Sequence, residues 1–156
     1  MSKDILSELL EQETELQLPC FNHEIAWELG SSLKETAEKQ FAAVTIEIYA
    51  FGQVLFSYAM AGTSIDNQDW ARRKRQSVLR YGRSSHYIGH YNASKQREFE
   101  TQPHIDANEY CAHGGAFPIR IKGSGLIGVI TVSGLPSEDD HNMVVAALRK
   151  HMNNSK

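Results

Sequence analysis

The sequence predicts an α+β domain: an antiparallel sheet with helices packed on it. Two pairs of β-patterned runs, at 44–58 and 115–133, each fold back through a Gly-containing turn. Strands joined in that way need no βαβ crossover, which argues against a Rossmann arrangement. Runs of helical period precede, separate and follow the two hairpins. The 156 residues, 41% hydrophobic and 22% charged, have the size and composition of one globular domain with a buried core. No repeat, low-complexity run or linker divides them, so a single domain is expected over 1–156.

The elements follow in order. Residues 3–14 place Ile5, Leu6, Leu9 and Leu10 on one helical stripe and Glu8, Glu11 and Glu13 off it. Pro19 ends that region. Asn22 is a good N-cap for a second helix, in which Ile25, Leu29, Leu33 and Ala37 recur every fourth residue up to about Gln40. Val44, Ile46 and Ile48 then alternate with Thr45, Glu47 and Tyr49, as in a half-buried strand. Gly52-Gln53 turns into a partner strand at 54–58. Asp66 or Asn67 is expected to cap a third helix, with Trp70, Lys74, Val78 and Tyr81 on one face and Gly82 as its stop. Ser84 or Ser85 suits the start of a short helix through Tyr91, and 92–109 reads as a polar, irregular loop. Strands are expected at 115–121 and 125–133, with a further short one near Tyr110. Ser137 and Asp140 then have capping-box spacing at the head of a last helix, whose buried stripe is Val144, Leu148 and Met152, before a frayed tail at 153–156.

Composition excludes several classes. The net charge is −3, and no recognition motif accompanies the basic residues, which argues against nucleic acid as a partner. No apolar run approaches the roughly 20 residues that span a bilayer. The start is charged and amphipathic rather than secretory, so the cytoplasm is the expected compartment. Cys20 and Cys111 stand far apart without CxxC spacing, which argues against a structural zinc site built from them.

Candidate chemistry gathers at Tyr110-Cys111-Ala112-His113-Gly114-Gly115. On a strand, Cys111 and His113 would project to the same side, where they could ligate a metal or the imidazole could activate the thiol. Gly114 and Gly115 would let a ligand approach bare backbone N–H groups. The plainer alternative makes Cys111 a small core residue and the glycines a bulge. Arg72, Arg73, Lys74, Arg75, Arg80 and Arg83 concentrate 6 of the 16 basic residues around one helix, flanked by Trp70 and Tyr81. Forked arginine contacts there suit carboxylates or phosphates; a solvated face or a subunit contact is the alternative. His86 and His90 stack on one helical face without the Glu of a zincin. His104 and Asp106 fall in the polar loop, and His23, His141 and His151 join no constellation. Ser133-Gly134, between the last strand and last helix, suits an anion or an ordinary turn.

Gly114-Gly115-Ala116-Phe117-Pro118-Ile119, the run Gly125-Leu126-Ile127-Gly128-Val129-Ile130-Thr131-Val132-Ser133-Gly134, and Asp139-Asp140-His141 ahead of an Ala-containing helix together resemble the haem-degrading domain family. That family includes glycolate-utilisation protein G. The motifs span 114–145, and the element order extends the likeness over most of the chain. Asp66-Asn67, the run from Trp70 to Lys74 and Ser84-Ser85 resemble a subgroup of small cytosolic members. Phe117 departs from the family pattern, in which Gly-Gly commonly leads through a small aliphatic residue to Pro. The resemblance implies a profilin-like antiparallel sheet with helices on its faces, assembly as a homo-oligomer, and a haem or corrinoid ligand in some members. It fixes no axial haem ligand; His113 is the candidate by position.

The expected function is therefore a homo-oligomeric small-molecule-binding domain for haem, a corrinoid or another anionic ligand. Its pocket would lie between Gly114-Gly115, Ser133-Gly134 and the basic helix. Trp70 and Tyr110 would stack on the ligand, Arg72 or Arg73 would pair its carboxylates, and His113 would ligate or polarise it. One alternative is an enzyme using Cys111 or His113. Another is an adaptor that meets acidic partners through the basic helix.

Overall fold

The structure, a computed structural model, describes residues 4–154. Its elements are α1 (Ile5–Glu15), α2 (His23–Lys39), β1 (Thr45–Ala50), β2 (Gln53–Ala59), α3 (Ile65–Tyr81), α4 (Ser85–Ser94), β3 (Ala116–Ile121), β4 (Gly125–Ser133) and α5 (Ser137–Asn154). The four strands form one sheet in the order β2-β1-β4-β3, with every neighbouring pair antiparallel. The α+β architecture read from the sequence is the one observed. The expected strand near Tyr110 is absent among the described residues. Lys3, Ser155 and Lys156 lie outside those residues.

Period-two alternation assigns the two faces of the sheet. Ile46 lies opposite Val132, and Ile48 opposite Ile130. These side chains pack with Leu29 and Leu33 of α2 and Val144 and Leu148 of α5. The other face carries Ala116 and Val129, which pack against Val78 of α3. Both faces are therefore covered along β1, β4 and β3, while the edge strand β2 stays largely exposed. This corrects the half-buried expectation for β1: Thr45 is 2% exposed. Glu47 is paired with Arg75 of α3, Oε1 to Nε at 2.9 Å.

Capping differs from the expected pattern in three places. α3 starts from Ser64, not Asp66 or Asn67; the Ser64 N–H donates to Asn67 Oδ1 at 2.9 Å. Ser137 does not cap α5, because it is the first helical residue and its Oγ accepts the Gly114 N–H. Glu13 turns inward rather than off the stripe, and its carboxylate accepts the Ser84 N–H at 3.2 Å and pairs with Arg83 at 3.3 Å. Where the sequence chemistry is local, it holds. Asn22 Oδ1 accepts the Ile25 N–H at 2.8 Å, Ser84 Oγ accepts that of Tyr87 at 3.1 Å, and Gly82 ends α3 at φ 70°. The 95–115 segment has no regular structure, yet it is more than a surface loop. Phe99 and Ile105 bury themselves against Ile88 of α4.

The core predicts its own sensitivity. Leu33 is fully buried between α2 and the sheet. Leu33→Ala is expected to cost about 2–5 kcal/mol. The melting temperature would fall by roughly 2–4 °C per kcal/mol in a chain of this size, which thermal unfolding followed by circular dichroism measures.

Candidate functional site

Three serines, two of them buried, and a lysine place the segment that leads into β3. Ser77 Oγ of α3 donates to the Cys111 carbonyl at 2.8 Å and accepts the Cys111 N–H at 3.1 Å. Ser85 Oγ of α4 accepts the Ala116 N–H at 3.0 Å, and Ser137 of α5 takes Gly114. Between these anchors the chain runs where no side chain fits. A Cβ on Gly114 would lie 2.8 Å from His86 Nδ1, and one on Gly115 would lie 2.9 Å from Lys74 Nζ. Gly115 also sits at φ 136°, which glycine alone adopts without strain.

Lys74 is the floor of this region. Its Nζ lies 3.1 Å from Asp140 Oδ2 and 3.3 Å from the Val132 carbonyl, so it joins α3, β4 and α5. Both side chains are buried. Asp140 also accepts the Gly134 N–H at 3.2 Å and the Leu135 N–H at 2.9 Å. Burial pushes the Asp140 carboxyl above its usual range, against the pull of Lys74 and those two N–H groups.

Above the pair opens a cavity of about 310 Å³. Trp70, His113, Ser133 and Gly134 line it, with Asp66, Asn67, Lys74, Leu135, Ser137 and Asp140. The His113 ring meets Trp70 edge-on, at 5.3 Å between centroids. His113 is exposed, and no hydrogen bond described engages its imidazole. Trp70 Nε1 donates to Asp66 at 3.1 Å, and the Arg73 guanidinium covers the indole at 3.9 Å from its centroid.

The structure thus gathers Trp70, His113, Ser133 and Gly134 of the expected residues and leaves the others out. Arg72 spans Asp69, at 3.0 Å, and Glu109. Arg73 holds Asp69 at 3.0 Å. Neither lines the cavity. Tyr110 lies under Arg80, at 4.9 Å from its ring, and does not face Trp70 across a ligand. Gly114 and Gly115 are buried packing positions rather than open backbone. Cys111 is 1% exposed, and burial pushes its thiol up, away from the reactive thiolate. The 110–115 segment is not a strand, so the two-residue spacing does not pair Cys111 with His113: one is buried, the other exposed.

Sequence reasoning missed Lys74 and Asp140 as site residues. A lysine on the same helical face as Val78 was the available signal, because a cation on an apolar stripe requires a buried counter-charge.

A second feature lies behind Gly114. His86 of α4 stacks on His141 of α5 at 4.7 Å between centroids, and His90 meets His86 edge-on at 4.5 Å. His141 Nε2 lies 2.7 Å from Gln12 Oε1. Among the described residues, no group of three His, Cys, Asp or Glu is placed to hold a metal ion. Burial, with the neighbouring imidazoles, lowers His86 to about 4 and His141 to about 3.

A family model described as "Haem degrading protein HbpS-like" matches residues 21–149. The chain belongs to this family. A UPF0303 protein of Psychromonas ingrahamii is 63% identical over 143 residues, which cover 92% of this chain and 90% of the relative. The crystal structure of Ybr137w protein is similar at 33% identity and TM-score 0.89, covering 97% of this chain and 90% of that one. The crystal structure of a PduOC:heme complex matches at 17% identity and TM-score 0.70, over 83% of this chain and 94% of that one, a likeness of fold alone. The family expected from the Gly-Gly and Val-Ser-Gly motifs is the one found.

Two predictions follow from the buried charges and rings. Lys74→Met leaves Asp140 without its cation and is expected to cost about 3–5 kcal/mol in urea unfolding at neutral pH. Asp140 binds its proton more readily when folded, so the loss shrinks as pH falls. For His86 and His141 the folded pKa lies below the unfolded value, so their contribution is complete above about 6.5. It is lost as pH falls from there through about 4 for His86 and about 3 for His141. Urea midpoints are expected to fall over that window, and less steeply in His141→Gln.

Proposed function

We propose that this chain is a small-molecule-binding domain that works as a homo-oligomer in the cytoplasm, with the Trp70–His113 cavity as its ligand site and haem as the ligand. The observation that carries the reading is the pairing at the cavity mouth. An exposed imidazole without a hydrogen-bond partner among the described residues stands edge-on to an indole, beside a polar recess backed by a buried ion pair.

The residues fit haem in a specific way. Imidazole is a usual iron ligand, and His113 presents one at the surface. Trp70, held by Asp66 and Arg73, supplies a fixed aromatic wall. The cavity is at the small end of ligand sites, so it would take one edge of a macrocycle and leave the remainder at the surface. Ser133 and Ser137 bring hydroxyls to the cavity lining. Haem would supply a redox-active iron; the chain's own part is to present the nitrogen and the wall.

Further observations bear on the reading. Arg72, Arg73 and Arg75 are spent on Asp69, Glu109 and Glu47, which weakens the adaptor alternative. Burial of Cys111 weakens a thiol-based enzyme. Assembly is supported by Phe41, Ile65 and Trp27, which are large apolar side chains left exposed. Among the described residues no helix is long and apolar enough to cross a membrane.

Titrating the purified full chain with haem tests this. The expected result is a shifted Soret band that is lost in His113→Ala and weakened in Trp70→Ala. No shift in the wild type, or the same shift in His113→Ala, removes the haem reading.

A further inference from the structure

A second cavity, of about 360 Å³, opens between the end of α3, the outer face of α4 and the irregular 97–104 segment. It shares no lining residue with the first. Its floor is Ile88 and Phe99, both buried. Its walls are tyrosines. Tyr87 and Tyr91 stand one turn apart on α4, with rings inclined by 20° and centroids 5.9 Å apart. Tyr81 meets Phe99 edge-on at 5.7 Å. Aromatic faces lining one cavity suit a flat ligand laid against them.

The polar part of the cavity is organised by one buried amide. Asn92 is 5% exposed. Its Nδ2 donates to the Ile88 carbonyl at 2.8 Å. Its Oδ1 accepts from Arg97 Nε at 2.7 Å and from Gln102 Nε2 at 3.1 Å. Arg97 is thereby held at the rim through one nitrogen, and no hydrogen bond among the described residues uses its two terminal nitrogens. Arg83 is a second cation at the rim, steadied by Glu13 at 3.3 Å. No aspartate or glutamate lines the cavity, in contrast to the first, which Asp66 and Asp140 line.

Aromatic walls, an apolar floor and guanidinium groups without a lining carboxylate define one class of ligand. We propose that this cavity binds a planar aromatic anion of one or two rings, with the ring against Tyr87, Tyr91 and Phe99 and its carboxylate or phosphate on Arg97. A guanidinium takes either anion through two parallel N–H groups, so the two share one recognition chemistry. The site is separate from the haem reading and does not depend on it. A size match supports the limit of two rings, because the volume is near the lower bound for small-molecule sites.

The test is calorimetric titration of the full chain with 2-naphthoate, 2-naphthyl phosphate and the neutral 2-naphthamide. Location is read from the Ile88 methyl resonances by NMR. The expected result is that at least one anion binds, moves the Ile88 methyls and binds roughly tenfold or more tightly than the amide. Whichever anion binds better identifies the source chemistry as carboxylate or phosphate ester. Arg97→Gln and Tyr91→Ala should each weaken that anion by roughly tenfold. Arg97→Gln also frees Asn92 and could loosen the segment. If its circular dichroism departs from wild type, Tyr91→Ala, on an exposed ring, decides together with the amide. The proposal is overturned if neither anion binds at millimolar concentration, if the amide binds equally well, if the Ile88 methyls stay unmoved at saturation, or if a folded Tyr91→Ala binds as tightly as wild type.

Discussion

One buried ammonium–carboxylate pair sets the geometry of this domain. Lys74 reaches from α3 through the sheet's end to Asp140 of α5, and Asp140 in turn holds the backbone N–H groups of Gly134 and Leu135. Two charges taken out of water are tolerable only where each finds further partners, and both do here. Gly115 passes the Val132 carbonyl oxygen and the Lys74 ammonium too closely to carry a side chain. The ion pair fixes the turn after β4 and lines the first cavity.

The same economy of charge runs along α3. Its dense basic run suggests a surface awaiting an anion, yet Arg72, Arg73 and Arg75 turn to Asp69, Glu109 and Glu47. The cations tie helix to sheet and loop rather than to a partner. What remains for recognition is sparse and therefore informative. Among the described residues, an imidazole without a hydrogen bond stands beside Trp70, and a guanidinium whose terminal nitrogens make none stands beside Tyr91. The first lies in a cavity lined by two aspartates, the second in one lined by none.

The order of elements was legible because each rests on local rules. Alternation of apolar residues marked β1, fourfold spacing marked α2, and Asn22, Ser84 and Gly82 stopped or started helices through contacts within a few residues. Half of the candidate site was legible for a similar reason: Trp70 sits on a clear helical face, and Ser133-Gly134 closes a clear strand. Tyr110 was misplaced because side-chain direction in 106–115 depends on anchors from three helices, Ser77, Ser85 and Ser137 among them, and Arg72 and Arg73 because Asp69 and Glu109 take their guanidinium groups. Those serines looked like caps or neutral helix residues.

The sequence by itself determined the α+β class, the antiparallel pairing and membership of the HbpS-like family, since periodicity and the glycine-bearing motifs are properties of contiguous residues. Only the tertiary structure decided where the charges went, that both sheet faces are covered along β1, β4 and β3, that Cys111 is sealed, and that Asn92, Arg97 and Phe99 meet Tyr91 around a second cavity. The physical reason is the range of the interactions. Hydrophobic period and capping act within a few residues, whereas a buried charge is satisfied by whatever partner the finished packing brings to it. In this chain Asp140 is 66 positions from Lys74.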